Sequence, residues 1–331
     1  MEIVKQVEAA SQSPRLSQIL FEKRPASFAS LATFAGNVDA VEASLLFATG
    51  FAKFVALYGS SGWGKTHLLC AVEGRLRLDG IGCIPPVAAE KFLEEPARYN
   101  DPNPLLLDDC QEVFGKTKPK AMFRIALESR LRGEHPTMLC FTASRLSRPM
   151  RLALPQTREW SLCQVGAPEP PERVHLINQM AEEDGLALAP SLVRVIAKDI
   201  QGNGRTLAGA LKRLRLSSAN WTDSESVLRA CGLLEPFFAD NSSWDLKHRI
   251  LRAAEAFKGS LHGIVWQDLS VYIMLRVAQL AEADVARAMD LEPAAAYLAA
   301  SRFERHIKQN PRSAAAVRQF IETLVNQFVV D

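Results

Sequence analysis

The sequence predicts an α/β domain built on a parallel sheet, followed by a small helical appendage and an all-helical C-terminal domain. Three observations carry that reading. From Pro25 to about Val165, short apolar runs of strand length alternate with longer stretches of helical periodicity, the rhythm of strands joined by crossover helices. Beyond the proline-rich APEPPE at 167–172, only helical periodicity remains. Between the first apolar run and the first long helix lies a glycine-rich loop, GSSGWGKT.

The strand candidates are VALY at 55–58, GCIP at 82–85, LLLD at 105–108 and MLCFTAS at 138–144. Helices are expected between them at 66–78 and 119–132. Pro170 and Pro171 then open a helix over 173–184, and further helices follow at 191–199 and 206–217. The polar ADNSS at 239–243 reads as a boundary loop, and 245–258, 266–279, 282–289, 293–308 and 313–328 read as amphipathic helices. Within the last group Trp266, Tyr272, Phe303 and Phe320 recur at core spacing. The division expected is an N-terminal tail at 1–20, an α/β domain at 21–165, a helical domain at 166–238 and a second helical domain at 244–331. Residues 3–20 could form an amphipathic docking arm, but a disordered tail is the preferred reading.

Composition narrows the class. A chain of 331 residues, 48% hydrophobic and 23% charged, suits a globular protein of two or three domains. No apolar run is long enough to span a bilayer, and the first residues lack the apolar core of a signal peptide. Six cysteines stand singly, as expected of reduced residues in a cytoplasmic protein. A formal net charge of +2 does not mark a nucleic-acid binder.

The glycine-rich loop matches G-x-x-x-x-G-K-[ST] in the strand–loop–helix context that gives the pattern its meaning. Gly59 and Gly64 let the backbone turn towards phosphate oxygens, and the N–H groups of the loop (Ser60, Ser61, Gly62, Trp63) and of the helix opening surround the anion. Lys65 is expected at the β- and γ-phosphates of ATP or ADP, and the Thr66 hydroxyl at Mg²⁺. His67 follows directly and is read as a packing neighbour of the nucleotide. Trp63 fits either exposure near the nucleotide or simple packing. Downstream, LLLDDCQ ends a strand with two carboxylates: Asp108 suits the metal, and Asp109 suits the attacking water.

GKTHLL, LLLDDCQ, FTASR and GNGRTLAGALKRL occur in the order and spacing of the bacterial replication initiator DnaA. The chain therefore resembles that AAA+ ATPase family over roughly residues 20–328, with further likeness in FASLATFAGNVDA and in the helical segment from RILRAAEAFKG to SRFERHIKQNP. The resemblance implies a P-loop AAA+ sheet with a helical lid, then an all-α domain with helix-turn-helix character. It makes 59–66 Walker A, and Asp108 with Asp109 Walker B. Ser144 falls at the sensor-1 position, where the initiators usually carry an acid. Arg205 falls at the sensor-2 arginine, which contacts the γ-phosphate from the lid.

The departures are informative. Only AAEKFLEEPARYNDPNP stands where initiators carry a helical insertion used in filament assembly and strand opening. RLALPQTREW is short for a segment that should supply an arginine finger; neither Arg151 nor Arg158 aligns cleanly, so slow or absent hydrolysis is expected. Both shortenings resemble the Hda-type regulatory relatives, which lack the C-terminal domain. In that domain, LEPAAAYLA occupies the place of a base-reading helix, and alanines offer no hydrogen bonds to base edges. From Asp245 onward, eleven Lys and Arg face ten Asp and Glu, so Arg302, Arg305 and Lys308 read equally as phosphate contacts or a solvated face. Two functions follow. One is a nucleotide-switched, self-assembling protein of replication initiation or its regulation, with DNA as a candidate partner though not by the usual origin-specific reading. The other is an adaptor or helicase-loader-like protein, whose C-terminal domain contacts an initiator or helicase.

Overall fold

The structure, a computed structural model, describes residues 26–238, 245–257 and 265–330; the expected tail at 1–20 and boundary loop at 239–243 lie outside the described residues. The chain divides into two compact units. One takes in Val38–Gly59 and Gly64–Val165 together with the described residues up to Leu31; the other takes in Ala32–Asn37, Ser60–Trp63 and the described residues from Gly166 onward.

In the first unit the elements run α1 (Val38–Ala48), β1 (Phe54–Gly59), α2 (Lys65–Leu78), β2 (Val87–Ala88), α3 (Ala89–Glu94), β3 (Leu105–Asp108), α4 (Gln111–Phe114), α5 (Thr117–Arg132), β4 (Thr137–Thr142), α6 (Arg148–Ala153) and β5 (Ser161–Gln164). The five strands form one sheet in the order β2-β3-β4-β1-β5, and every pair is parallel. Central strands of such a sheet are covered on both faces and so read as unbroken apolar runs. Val55, Ala56, Leu57, Leu106, Leu107, Met138 and Leu139 are fully buried. The edges depart from that pattern. β5 exposes Ser161 and Gln164 and gives no apolar run to recognise. The strand expected at 82–85 is absent, and β2 begins at Val87, beyond Pro85 and Pro86, which have no N–H to give to a ladder.

One buried cation ties this edge of the sheet together. Arg130, in the last turn of α5, is 1% exposed. Its Nε donates to Thr137 Oγ1 at 2.8 Å. One terminal nitrogen donates to the carbonyls of Tyr99 and Asp101, and the other to Asn103 at 2.9 Å and Pro136 at 2.8 Å. Burial lowers the guanidinium pKa to about 10, opposed by the nearby Asp101 carboxylate, so the group keeps its charge at neutral pH.

The second unit continues with α7 (Pro170–Glu183), β6 (Ala187–Leu188), α8 (Pro190–Asp199), α9 (Gly204–Ser217), β7 (Asn220–Trp221), α10 (Ser224–Leu233), α11 (Glu235–Phe238), α12 (Leu246–Phe257), α13 (Trp266–Tyr272), α14 (Glu282–Ala288), α15 (Pro293–Gln309) and α16 (Pro311–Val330). α7 starts at a proline and closes a capping box in which Glu169 and Glu172 satisfy each other's backbone N–H groups. The helix expected over 266–279 passes into a π-helical turn at Ile273–Val277. Leu192 and Ile196 of α8, Leu228 of α10, Ile250 of α12, and Phe320 and Leu324 of α16 belong to one buried cluster. Phe303 and Phe320 are buried in it, and Tyr272 and Trp266 pack against it. No helix among the described residues is long and apolar enough to cross a membrane.

Arg130→Met should lower stability by about 3 kcal/mol, because four carbonyls and one hydroxyl lose their donor while the side-chain volume is kept. Urea unfolding monitored by circular dichroism measures this, and an unchanged midpoint would refute the role given to Arg130.

Candidate nucleotide-binding site

The site is built at the C-terminal ends of β1, β3 and β4, where the parallel strands hand over to loops and helix N-termini. β1 stops at Gly59, and the residue type there is forced by crowding: a Cβ would lie 2.0 Å from the Val165 carbonyl oxygen. The Gly59 carbonyl accepts Lys65 Nζ at 2.8 Å and the Ala143 N–H at 3.1 Å. Gly64 then opens α2 with φ 101°, a left-handed conformation costly for any residue with a Cβ. No side chain caps the first turn of α2, the end of a helix that favours an anion. Lys65 is 6% exposed. Thr66, Ser60 and Ser61 are exposed. His67 is half-buried, its Nε2 lying 3.1 Å from Ser30 Oγ and 3.2 Å from the Ser27 carbonyl oxygen.

The two acids leave β3 differently. Asp108 is half-buried and accepts the Asp109 N–H through Oδ1 at 2.8 Å; the Cys140 thiol of the neighbouring strand donates to the same oxygen. Burial and the Asp108 charge push the Cys140 thiol well above its usual range, which keeps it protonated as a donor. Asp109 is exposed and sits at φ 52°, in the left-handed region that Asp tolerates better than most residues. Gln111 Nε2 donates to Asp109 Oδ1 at 2.9 Å, and Gln111 Oε1 accepts the Thr142 N–H at 2.8 Å. Cys140 and Gln111 escaped the sequence reading: a cysteine inside MLCFT passes for core, and a glutamine after two acids carries no spacing signal of its own. Ser144 is exposed two residues beyond β4, and Arg151 and Arg158 are both exposed further on.

Ser60–Trp63 group with the second unit, and there the loop meets the turn that opens α9. Gly62 has φ 82°, and a Cβ on it would lie 2.3 Å from Asn203 Cγ. A Cβ on Gly204 would lie 2.7 Å from the Gly62 carbonyl oxygen and 3.8 Å from the half-buried Trp63 ring. Asn203 caps α9, accepting the N–H groups of Arg205 at 3.0 Å and Thr206 at 3.3 Å. Arg205 is exposed in the first turn. A cation there opposes the helix dipole, which suits a residue kept to meet an anion.

Gly64, Lys65, Thr66 and Asp108 carry the kinds of group that a triphosphate with Mg²⁺ calls for: the N-terminal end of a helix, a buried amine, a hydroxyl and a carboxylate. A separate cavity of about 580 Å³ lies along residues 82–88 and near Lys91, Arg98, Leu105 and Arg130. It is at the opposite, N-terminal end of β3, and the Arg130 donors that reach it are already given to carbonyls.

A five-stranded parallel sheet in this order, with this loop after β1 and a helical region after its last strand, is the AAA+ fold. Among solved structures, domain III of the Thermotoga maritima replication initiation protein DnaA is similar at 20% identity and a TM-score of 0.54, covering 66% of this chain and 98% of that one. The AMPPCP-bound DnaA of Aquifex aeolicus is similar at 17% identity and a TM-score of 0.54, covering 93% and 99%. So is a replication initiator DnaA bound to AMPPCP and single-stranded DNA, at 17% identity and 0.54, covering 94% and 99%. No family model matches the chain.

Gly59→Ala should destabilise the protein by about 1–3 kcal/mol, since a methyl group cannot occupy a point 2.0 Å from a backbone oxygen without moving β1. Thermal unfolding measures it; a melting temperature equal to the parent's would show that the crowding is relieved at no cost.

Proposed function

We propose that the chain is a nucleotide-switched AAA+ protein of bacterial replication initiation or its regulation, binding ATP with Mg²⁺ and hydrolysing it slowly. The observation that carries this reading is the buried Lys65 held on the Gly59 carbonyl at the opening of α2, where no side chain caps the helix. In the mechanism, Lys65 and the first amides of α2 bind the β- and γ-phosphates, and Thr66 and Asp108 hold Mg²⁺. The metal, when bound, neutralises charge on the transferring phosphoryl oxygens. Asp109 orients the attacking water, and Ser144 provides a polar group near the reacting phosphate. Arg205 reports the γ-phosphate from the lid at 166–238, a role supported by the Asn203 cap that fixes the α9 opening beside Gly62.

Slow turnover fits the short 151–160 segment, where no arginine stands out as a trans-acting finger. A cytoplasmic protein meeting replication proteins, such as an initiator or a helicase, is the setting this reading implies.

A second reading concerns the C-terminal domain at 244–331. Residues Leu291, Tyr297 and Leu298 are exposed at 40%, 48% and 65% along the start of α15, where Ala294 and Ala295 are exposed too. Apolar side chains offered at this density favour a protein partner over base edges. The helix-turn-helix character of α14 and α15 would then serve an adaptor role.

Lys65→Ala should weaken ATP–Mg²⁺ binding at least about 30-fold, the loss expected when a buried charge partner is removed. Isothermal calorimetry reads it, and wild-type affinity in the variant would sink the site assignment. For DNA, we expect weak binding to duplex at physiological salt with a shallow dependence on salt, as a nearly charge-balanced domain predicts. A steep slope in fluorescence anisotropy titrations would favour the DNA-binding reading over the adaptor.

A further inference from the structure

The Gln111 amide is engaged at both ends by groups of the candidate site. Its nitrogen donates to Asp109 Oδ1 at 2.9 Å, with a weaker approach of 3.4 Å to Glu112 Oε1. Its oxygen accepts the N–H of Thr142, the last residue of β4. The next residue, Ala143, donates its N–H to the Gly59 carbonyl, which also accepts Lys65 Nζ. A path of hydrogen bonds through the Gln111 amide and the backbone of Thr142 therefore joins the Asp109 carboxylate to the Lys65 side chain. Asp109 needs such support. It is exposed, sits at φ 52°, and follows the last residue of β3, so the ladder does not hold its side chain.

Resting on the hydrolytic reading above, we propose that Gln111 is the positioning residue for hydrolysis, orienting Asp109 and linking it to the Gly59–Lys65 end of the phosphate loop. In the step concerned, the water oxygen bonds to the γ-phosphorus as the bond to the β–γ bridging oxygen breaks. ADP leaves, inorganic phosphate forms, and the water proton passes to the Asp109 carboxylate. Gln111 fixes one oxygen of that carboxylate and leaves the other to face the water. A carboxylate free to rotate about its side-chain bonds loses alignment, and misplacement of about 1 Å costs on the order of 100-fold in rate. A glutamine suits the task because one planar amide carries a donor and an acceptor at opposite edges. Asparagine is one methylene shorter and cannot span the same two partners.

Three variants of the full chain separate the two halves of the amide. Gln111→Ala removes both; Gln111→Asn shortens the reach; Gln111→Glu keeps an acceptor for Thr142 but turns the donor into a second negative charge beside Asp109. Three readouts apply: single-turnover ATP hydrolysis, ATP affinity by calorimetry, and amide hydrogen exchange at Thr142 in nucleotide-free protein. We expect Gln111→Ala and Gln111→Asn to lose about 10- to 100-fold in turnover and to expose the Thr142 amide. Gln111→Glu should lose turnover equally while Thr142 stays protected. ATP affinity should stay within about threefold of wild type in all three, which a general loss of structure would not allow.

Wild-type turnover in Gln111→Ala, an unchanged Thr142 exchange rate in that variant, or a parallel fall in affinity would each overturn the proposal. Failure of the underlying reading looks different: the wild-type chain itself would bind ATP without turning it over, or not bind it. Either result removes both.

Discussion

The site depends on what happens at one peptide group, the carbonyl end of β1. Gly59 has no room for a Cβ because Val165 passes within contact of its Cα, and its carbonyl serves two donors at once, Lys65 Nζ and the Ala143 N–H. The first contact holds the Lys65 side chain in a nearly dry position; the second pins the exit of β4. Strand β1 lies between β4 and β5 in the sheet, so the crowding that excludes a side chain at Gly59 also brings the last strand close. A buried ammonium is costly unless every proton finds an acceptor. The Gly59 oxygen is one such acceptor for Lys65. The start of the loop, the Lys65 side chain and the exits of two neighbouring strands thus converge on one residue.

The parts of the fold that could be read from the sequence are those where burial acts on whole segments. The strands β1, β3 and β4 overlap the apolar runs that announced them to within two residues at each end, because a strand covered on both faces must be apolar throughout. The edges escaped for the complementary reason. β5 is half-exposed and carries polar residues at both ends. β2 was displaced past two prolines that an apolar count does not penalise. The helices after residue 170 were legible by period, yet the sharing of one core by α8, α10, α12 and α16 was not, since period tells which face is buried and not against what.

The same distinction governs the site. Gly59, Gly62, Gly64, Lys65 and Thr66 could be singled out as candidates because phosphate binding would demand particular residue types at fixed spacing along one loop. Gln111 and Cys140 were not, because they act through partners that are distant in sequence: Thr142 is 31 residues from Gln111, and Asp108 is 32 from Cys140. Arg130 belongs to this second group. In sequence it is one of several basic residues closing a helix; in the structure it satisfies four carbonyls of two loops. A side chain whose importance comes from where the chain folds back cannot be told from its neighbours by spacing.

The strength of any nucleotide switch in this chain is bounded by the same chemistry. A ligand shifts an equilibrium only by its differential affinity for the two states. Between ATP and ADP the difference is the γ-phosphate, and the group assigned to read it, Arg205, is exposed on the first turn of α9. An exposed arginine meeting a phosphate contributes about 1–2 kcal/mol, screened further by salt. That corresponds to roughly 5- to 30-fold in preference, enough to bias an assembly and too little to lock one. The proposed hydrolysis is limited in the same way, since Asp109 is exposed and its carboxylate is held by the Gln111 amide. A shallow bias held for a long time suits a protein whose bound nucleotide is read by partners. It does not suit a motor, which must convert each hydrolysis into a forced step.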